Sequence, residues 1–396
     1  MYGNFDIKYR VYIKLLCYLY EIMKNPKNQR YKYLISTLVT CLVILLITAI
    51  LIKSMTQATI PKITFLGEVN FPTGLKFKNT EVGGLSGITY NQDKQIYYAI
   101  SDDRSSKAAA RFYTLKIDLD INKISEETVT FIDVTTLLNE NGQPFPSLSI
   151  DTEGIALTGE SLFISSEGDR KRQIQPFIRE FSLAGKQLQN LPIPKKFLIQ
   201  AESGIRNNLA LENLTITPNK KYLFTATENA LIQDGVKANV STGSPCRILQ
   251  YDLIKGQPEK EFLYITEPIT SKSNNSGVLK INGLVELMAL DDTHLLSLER
   301  SFSLDTGNVI KLFQVDLSNA DNIQKINSLN THLTPISPAQ KELLLDLSNL
   351  ELISDNIEGM TFGPRLADGR RSLILVSDNN FNPLQLTQFL IFSTKL

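Results

Sequence analysis

GGLSGITYNQDKQIYYAISDD, Gly83–Asp103, is a two-strand phrase: an apolar-rich run, a polar turn, and a second apolar-rich run that ends in acids. The phrase returns as DTEGIALTGESLFISSEGD (Asp151–Asp169) and ALENLTITPNKKYLFTATEN (Ala210–Asn229). It returns again as GLVELMALDDTHLLSLER (Gly283–Arg300) and NIEGMTFGPRLADGRRSLILVSDNN (Asn356–Asn380). In each copy the turn between the runs is rich in Asn, Asp, Gly or Pro, the grammar of a hairpin. A repeat at a spacing of about 60–73 residues decides the fold class before any single residue is read.

Working outward, a third strand follows each hairpin, at Arg111–Leu119, Phe177–Leu183, Cys246–Leu253, Val309–Leu317 and Leu386–Ser393. Fourth strands fit Thr128–Val134, Gln187–Ile193 and Phe262–Thr266. A four-stranded meander repeated around a circle is a propeller blade. The expected fold is therefore all-β, a propeller of five blades with room for a degenerate sixth. The rival, a two-sheet sandwich, does not explain five returns of one phrase. The last copy lacks a fourth strand, while Ile63–Val69 precedes the first hairpin without a partner. Pairing the two closes the ring. Pro338–Leu347 (PAQKELLLDL) reads as the one helix of this region.

Upstream lies LISTLVTCLVILLITAILI, Leu34–Ile52, which is 19 residues without a charge. At about 1.5 Å per residue it is long enough for a bilayer core of roughly 30 Å. Before it stand seven bases and two acids, a net +5 that places the N-terminus in the cytoplasm. The expected organisation is a basic cytoplasmic segment (1–33), a transmembrane signal anchor (34–52), a linker (53–62) and an extracytoplasmic propeller (63–396). The alternative is a signal peptide cut after Thr56-Gln57-Ala58. The part beyond Lys53 has 33 bases and 39 acids, so nucleic acid is not an expected partner. It holds a single cysteine, Cys246, which rules out an intramolecular disulfide there.

The start of a hairpin's first strand and the end of its second lie at one sheet edge, and both places carry acids. The starts are Glu153, Glu212, Glu286 and Glu358, with Ser86 in the first copy. The ends are Asp102 or Asp103, Glu167 or Asp169, Glu228, Glu299 and Asp378. The inner hairpins of a propeller line its channel, so these carboxylates are expected to ring one rim. Hard oxygen ligands select calcium or magnesium, with carbonyls available from Asn213, Asn229, Asn356, Asn379 and Asn380. The bland alternative is that the glutamates accept backbone N–H bonds and pin neighbouring blades. Arginine follows the acid at Arg104, Arg170 and Arg300, a planar fork suited to phosphate, or else to an inter-blade ion pair.

The phrases GGLSGITY, AISDDR, DTEGIAL, FISSEGDR, PFIREFSL and ALENLTI, in this order, resemble the phytase-like family, "esterase-like activity of phytase". The resemblance runs from about Ile63 to Leu396. It implies a secreted or surface-bound propeller with phosphoesterase or esterase activity. The Asp-Asp-Pro-Ala-type signature of the calcium-dependent alkaline phytases is not found, so the catalytic residues of those enzymes cannot be carried over. Ser86 lacks the last glycine of a nucleophile elbow, and His294 and His332 are poorly placed to serve it. Two classes remain: a cation-dependent phosphoesterase with Arg104, Arg170 or Arg300 on phosphate, and a non-catalytic binding propeller. The topology carries its own test. Protease added to intact cells is expected to remove everything beyond Lys53, and complete protection would contradict the anchor.

Overall fold

The computed structural model describes residues 63–119, 124–272 and 279–396, together with Thr40. The span expected over Leu34–Ile52 lies outside the described residues. Among the described residues no helix is long and apolar enough to cross a membrane.

The described chain from residue 63 is built of strands with three short 3-10 turns. Strand β1 (Thr64–Pro72) comes first, then a small hairpin of β2 (Lys76–Phe77) and β3 (Thr80–Glu81). Blade 1 follows as β4 (Leu85–Asn91), β5 (Ile96–Ser101), β6 (Arg111–Ile117) and β7 (Val129–Thr136). Blade 2 is β8 (Thr152–Thr158), β9 (Ser161–Ser166), β10 (Phe177–Ser182) and β11 (Gln187–Leu191). Blade 3 is β12 (Thr215–Ile216), β13 (Tyr222–Ala226), β14 (Pro245–Asp252) and β15 (Gln257–Ile265). Blade 4 is β16 (Lys280–Ala289), β17 (His294–Ser303), β18 (Gly307–Asp316) and β19 (Gln340–Asp346). Blade 5 has β20 (Ile357–Arg365), β21 (Arg371–Ser377) and β22 (Leu386–Thr394), and β1 completes it as the outer strand.

That closure is as the sequence predicts. β1 runs antiparallel to β22 in register from Thr64–Ser393 to Pro72–Leu386, with one bulge at Leu66. The inner strands touch in cyclic order, β4 to β8, β12, β16, β20 and back to β4. Gly154 on β8 permits a close approach of this kind: a Cβ there would stand 2.7 Å from the backbone nitrogen of Leu214 in the next blade. Five four-stranded blades account for the described residues, with no degenerate sixth among them.

Within each blade the inner strands are buried on both faces, as along β9, β14 and β21, which is why they read as continuous apolar runs, whereas outer strands such as β7 and β19 stay partly exposed. Along β5, Tyr97 and Ala99 pack with Val376 and Phe389 of blade 5, while Tyr98 and Ile100 pack with Ile155 and Phe177 of blade 2. Five such clusters, one per blade interface, form a core distributed around the ring. The segment read as a helix, Pro338–Leu347, is instead the outer strand β19, paired with β18 from Lys311–Asp346 to Asp316–Gln340. Its apolar cluster Leu343–Leu345 mimics a helical stripe, but the open edge of β18 offers backbone pairing along the whole segment, and that decides the outcome.

Candidate functional site

The first inner-strand position near one mouth of the channel carries a β-bulge in blades 1, 2, 4 and 5. The extra residue is Ser86 in blade 1, lies at Glu153-Gly154 in blade 2, and is Val285 and Glu358 in blades 4 and 5. In blade 3 the Leu211–Thr227 bridge gives Glu212 the same place. On the second strand the matching residues are Asp102, Glu167, Glu228, Arg300 and Asp378. Thus the fourth copy is out of phase by one residue with the sequence reading. Val285 holds the slot expected for Glu286, and Arg300 the slot expected for Glu299.

One residue of slip sends a strand side chain to the opposite side, and both glutamates follow that rule. Glu286 is buried and accepts backbone N–H bonds from Leu287, Met360 and Leu214, tying three inner strands together. Glu299 is buried against the hydroxyl of Tyr264 (2.7 Å), the Glu267 N–H (2.6 Å) and Lys341 Nζ (2.6 Å). Neither reaches the mouth of the channel; both hold blades together.

The remaining ring residues enclose a cavity of about 340 Å³. Asp102, Glu153, Glu212, Glu228, Glu358 and Asp378 line it with Arg104 and Arg300. Asp103 also borders it, but its carboxylate is taken by buried Arg111 and by the N–H groups of Lys107 and Ala108. Arg104 bonds Asp151 (Nη2 to Oδ2, 2.7 Å) and Asn208 (2.6 Å). Arg300 pairs with Glu358 at 3.0 Å and stands 3.9 Å from Glu228. Arg170 is placed elsewhere, donating to the carbonyls of Gln200, Ala201, Ser203 and Ile205 and fastening that loop. Asn213, Asn229 and Asn379 spend their amides on bonds between blades. Asn356 bonds Glu358, and Asn380 faces the cavity. Arg104-Ser105 and Asn380-Phe381, beside the cavity, have left-handed backbone with φ between 49 and 56°, a local cost found preferentially at functional sites.

Carboxylates this close cannot all be charged in a dry site. Burial first, then Asp378, Asp151 and Glu358, hold Asp102 well above the usual carboxylate range. Burial and Glu212 do the same to Glu153. Burial raises Glu228, Glu358 and Asp378 as well, with Arg300 pulling each back. Glu212 is pushed up to about 7 and Asp151 to about 6, in both cases chiefly by burial. Glu167 lies within hydrogen-bonding reach of both.

The donor set suits a hard divalent cation. Oxygens of Asp102, Asp151 and Glu153 lie within 4.8 Å of one another. Glu228 is almost wholly buried, and its Oε1 has no hydrogen-bond partner. Gly283 makes room for that carboxylate, since a Cβ there would fall 2.1 Å from Oε1. Asp151 is the acid that the sequence reading passed over. Its signal was alternation, because it stands two residues before Glu153 and so shares a side of the extended chain.

The family model described as "Phytase-like: Esterase-like activity of phytase" matches residues 80–381. No curated protein matches the chain. Among solved structures it is similar to the Dos1 propeller, at 9% identity over 77% of this chain and 66% of that one (TM-score 0.32). It is also similar to the tail fiber of Staphylococcus aureus phage P68, at 12% identity over 85% of this chain and 53% of that one (TM-score 0.35). A third is the α-L-arabinofuranosidase from Lactobacillus brevis, at 11% identity over 79% and 91% (TM-score 0.40). The chain thus spans less than two thirds of the length of the first two.

The raised carboxyls fix a sign. The folded state binds protons that the unfolded chain has released above about pH 4, so this stabilisation is full below that pH and is lost as pH rises through 6–7. Each unit of upward shift corresponds to about 1.4 kcal/mol. Urea unfolding in chelator is expected to give lower stability at pH 8 than at pH 5, and Glu212→Gln is expected to flatten that slope. Stability that climbs over this range would contradict the crowded-carboxyl picture.

Proposed function

The chain belongs to the phytase-like family, and from that premise we propose that it is a hydrolase of phosphate esters working in the carboxylate-ringed cavity with a divalent cation, calcium being the first candidate. The observation that carries the reading is the pairing of opposites at one mouth. Asp102 and Glu153, two members of the acidic cluster Asp102–Asp151–Glu153 fit for a cation, line the same cavity as two arginines fit for phosphate oxygens, and Asp151 is bonded to one of these, Arg104.

Asp102, Asp151 and Glu153 would hold the cation. When bound, such an ion supplies Lewis-acid polarisation of the ester and activation of water. Arg104 and Arg300 orient the phosphate, each already fixed by a carboxylate and so ordered before substrate arrives. Arg300 keeps a buried Nε with no hydrogen-bond partner, a donor suited to a non-bridging oxygen. Glu212, raised to about 7, holds a carboxyl proton near neutrality and can deliver it to the leaving alkoxide. We further propose that Leu34–Ile52 anchors the chain, with the propeller outside the cytoplasm. The mildly acidic composition beyond Lys53 supports this use of cations and not of nucleic acid.

Calcium is expected to raise the melting temperature, as any ligand specific for the folded state does. Glu153→Gln is expected to lose most of that response. Phosphate-ester hydrolysis is expected to need the cation and to fall about 10²-fold or more in Glu212→Gln. A parent protein that ignores calcium and hydrolyses no ester would leave a non-catalytic binding propeller as the better description.

A further inference from the structure

Beside the acidic cavity lies a larger groove of about 1410 Å³, and Ile281, Arg300 and Asn380 belong to the walls of both. The two spaces therefore meet at Arg300. Part of the groove's wall is aliphatic and left in water, beside polar residues that include Lys237 and Asn308: Leu304 is 69% exposed, and Ile353 and Leu384 are each 91% exposed. Two of the acids in its wall are turned to their own surroundings. Glu68 accepts from Gln388 at 2.6 Å, and Asp355 accepts from Gln385 at 3.0 Å and from the Leu386 N–H at 2.6 Å. An exposed aliphatic surface of this kind, joined to a polar site, marks a place for an apolar partner.

The polar end of the site argues against a polyanion. Carboxylates outnumber cationic side chains around the cavity, and each cation already has an acid: Arg104 has Asp151, Arg300 has Glu358, and Lys107 has Glu81. One phosphate together with one divalent ion suits such a wall, whereas several phosphates would meet uncompensated repulsion.

We infer that the substrate is an amphiphile, a phosphate ester of a single linear alkyl chain, whose head enters the acidic cavity while its tail lies along the Leu304–Ile353–Leu384 groove. The inference rests on the phosphoesterase reading for the identity of the head. The occupant of the groove follows from continuity, because whatever fills it meets the head at Arg300. The tail covers side chains that otherwise face water, a gain that grows with each methylene buried.

The test uses the full chain with calcium and a series of ethyl, hexyl and decyl phosphates below their micellar concentrations. Binding of ethyl and decyl phosphonate is measured in parallel by calorimetry. Both kcat/KM and phosphonate affinity are expected to climb with length, by at least about tenfold from ethyl to decyl, given up to roughly fourfold per fully buried methylene. The double variant Ile353→Ser, Leu384→Ser is expected to reduce the decyl-to-ethyl ratio severalfold. A flat series, a ratio untouched by the double variant, or tighter binding of inositol hexakisphosphate than of decyl phosphonate would each overturn the inference. Phosphonate affinity that rises with length while no ester is hydrolysed would support the amphiphile site and overturn the hydrolase reading. Hydrolysis with a flat length series would do the reverse.

Discussion

Crowding of carboxylates at the propeller axis sets the terms for everything built around it. Ring closure brings the inner strands of five blades together, and a bulge near the start of four of them delivers side chains to one mouth of the channel. Three of the first-strand places are glutamates and four of the second-strand places are acids, so charges that would repel are held close by the core behind them. Burial makes the charged forms more costly still. The cluster must therefore take up protons, pair with arginine or bind a cation, and the molecule provides for all three.

Arg300 is the pivot of that balance. It occupies the ring place that is acidic in every other blade, and it sits between Glu358 and Glu228. The sequence holds this arginine in plain view, yet its place in the ring was not legible, because the fourth copy reads naturally as GLVELMAL with Glu286 in the acidic slot. Backbone pairing decides otherwise. Leu284 faces Glu299 and Glu286 faces Leu298, which leaves Val285 as the bulged residue. A one-residue shift is invisible to composition and to apolar periodicity, but it moves every side chain to the other side of the strand.

What the sequence did carry was the architecture. The repeated hairpin gave five blades, and the unpaired Ile63–Val69 segment gave the closing strand, since both rest on apolar runs that a two-sided core requires. The segment Gln340–Asp346 misled because an isolated outer strand with a leucine cluster has no pattern that separates it from a short helix; only its neighbour β18 does. The division of the acids was also hidden. Glu286 and Glu299 hold blades together, while Glu153, Glu212 and Glu358 face the cavity, and all five look alike in sequence. Arg170 and Arg104 follow their acids in the same way, yet one fastens a loop through carbonyls and the other faces the cavity through Asp151.

A divalent cation that binds here must compete with protons for the same ring of carboxylates. That competition is read from the number of protons released when calcium binds, obtained by calorimetric titration near pH 6 in buffers of differing ionisation enthalpy. With Asp151 raised to about 6 and Asp102 and Glu153 held well above the usual carboxylate range, the cation is expected to expel about one proton or more. Release is expected to diminish above pH 8, where Asp151 is already ionised. Calcium binding with no proton release at pH 6 would contradict the account.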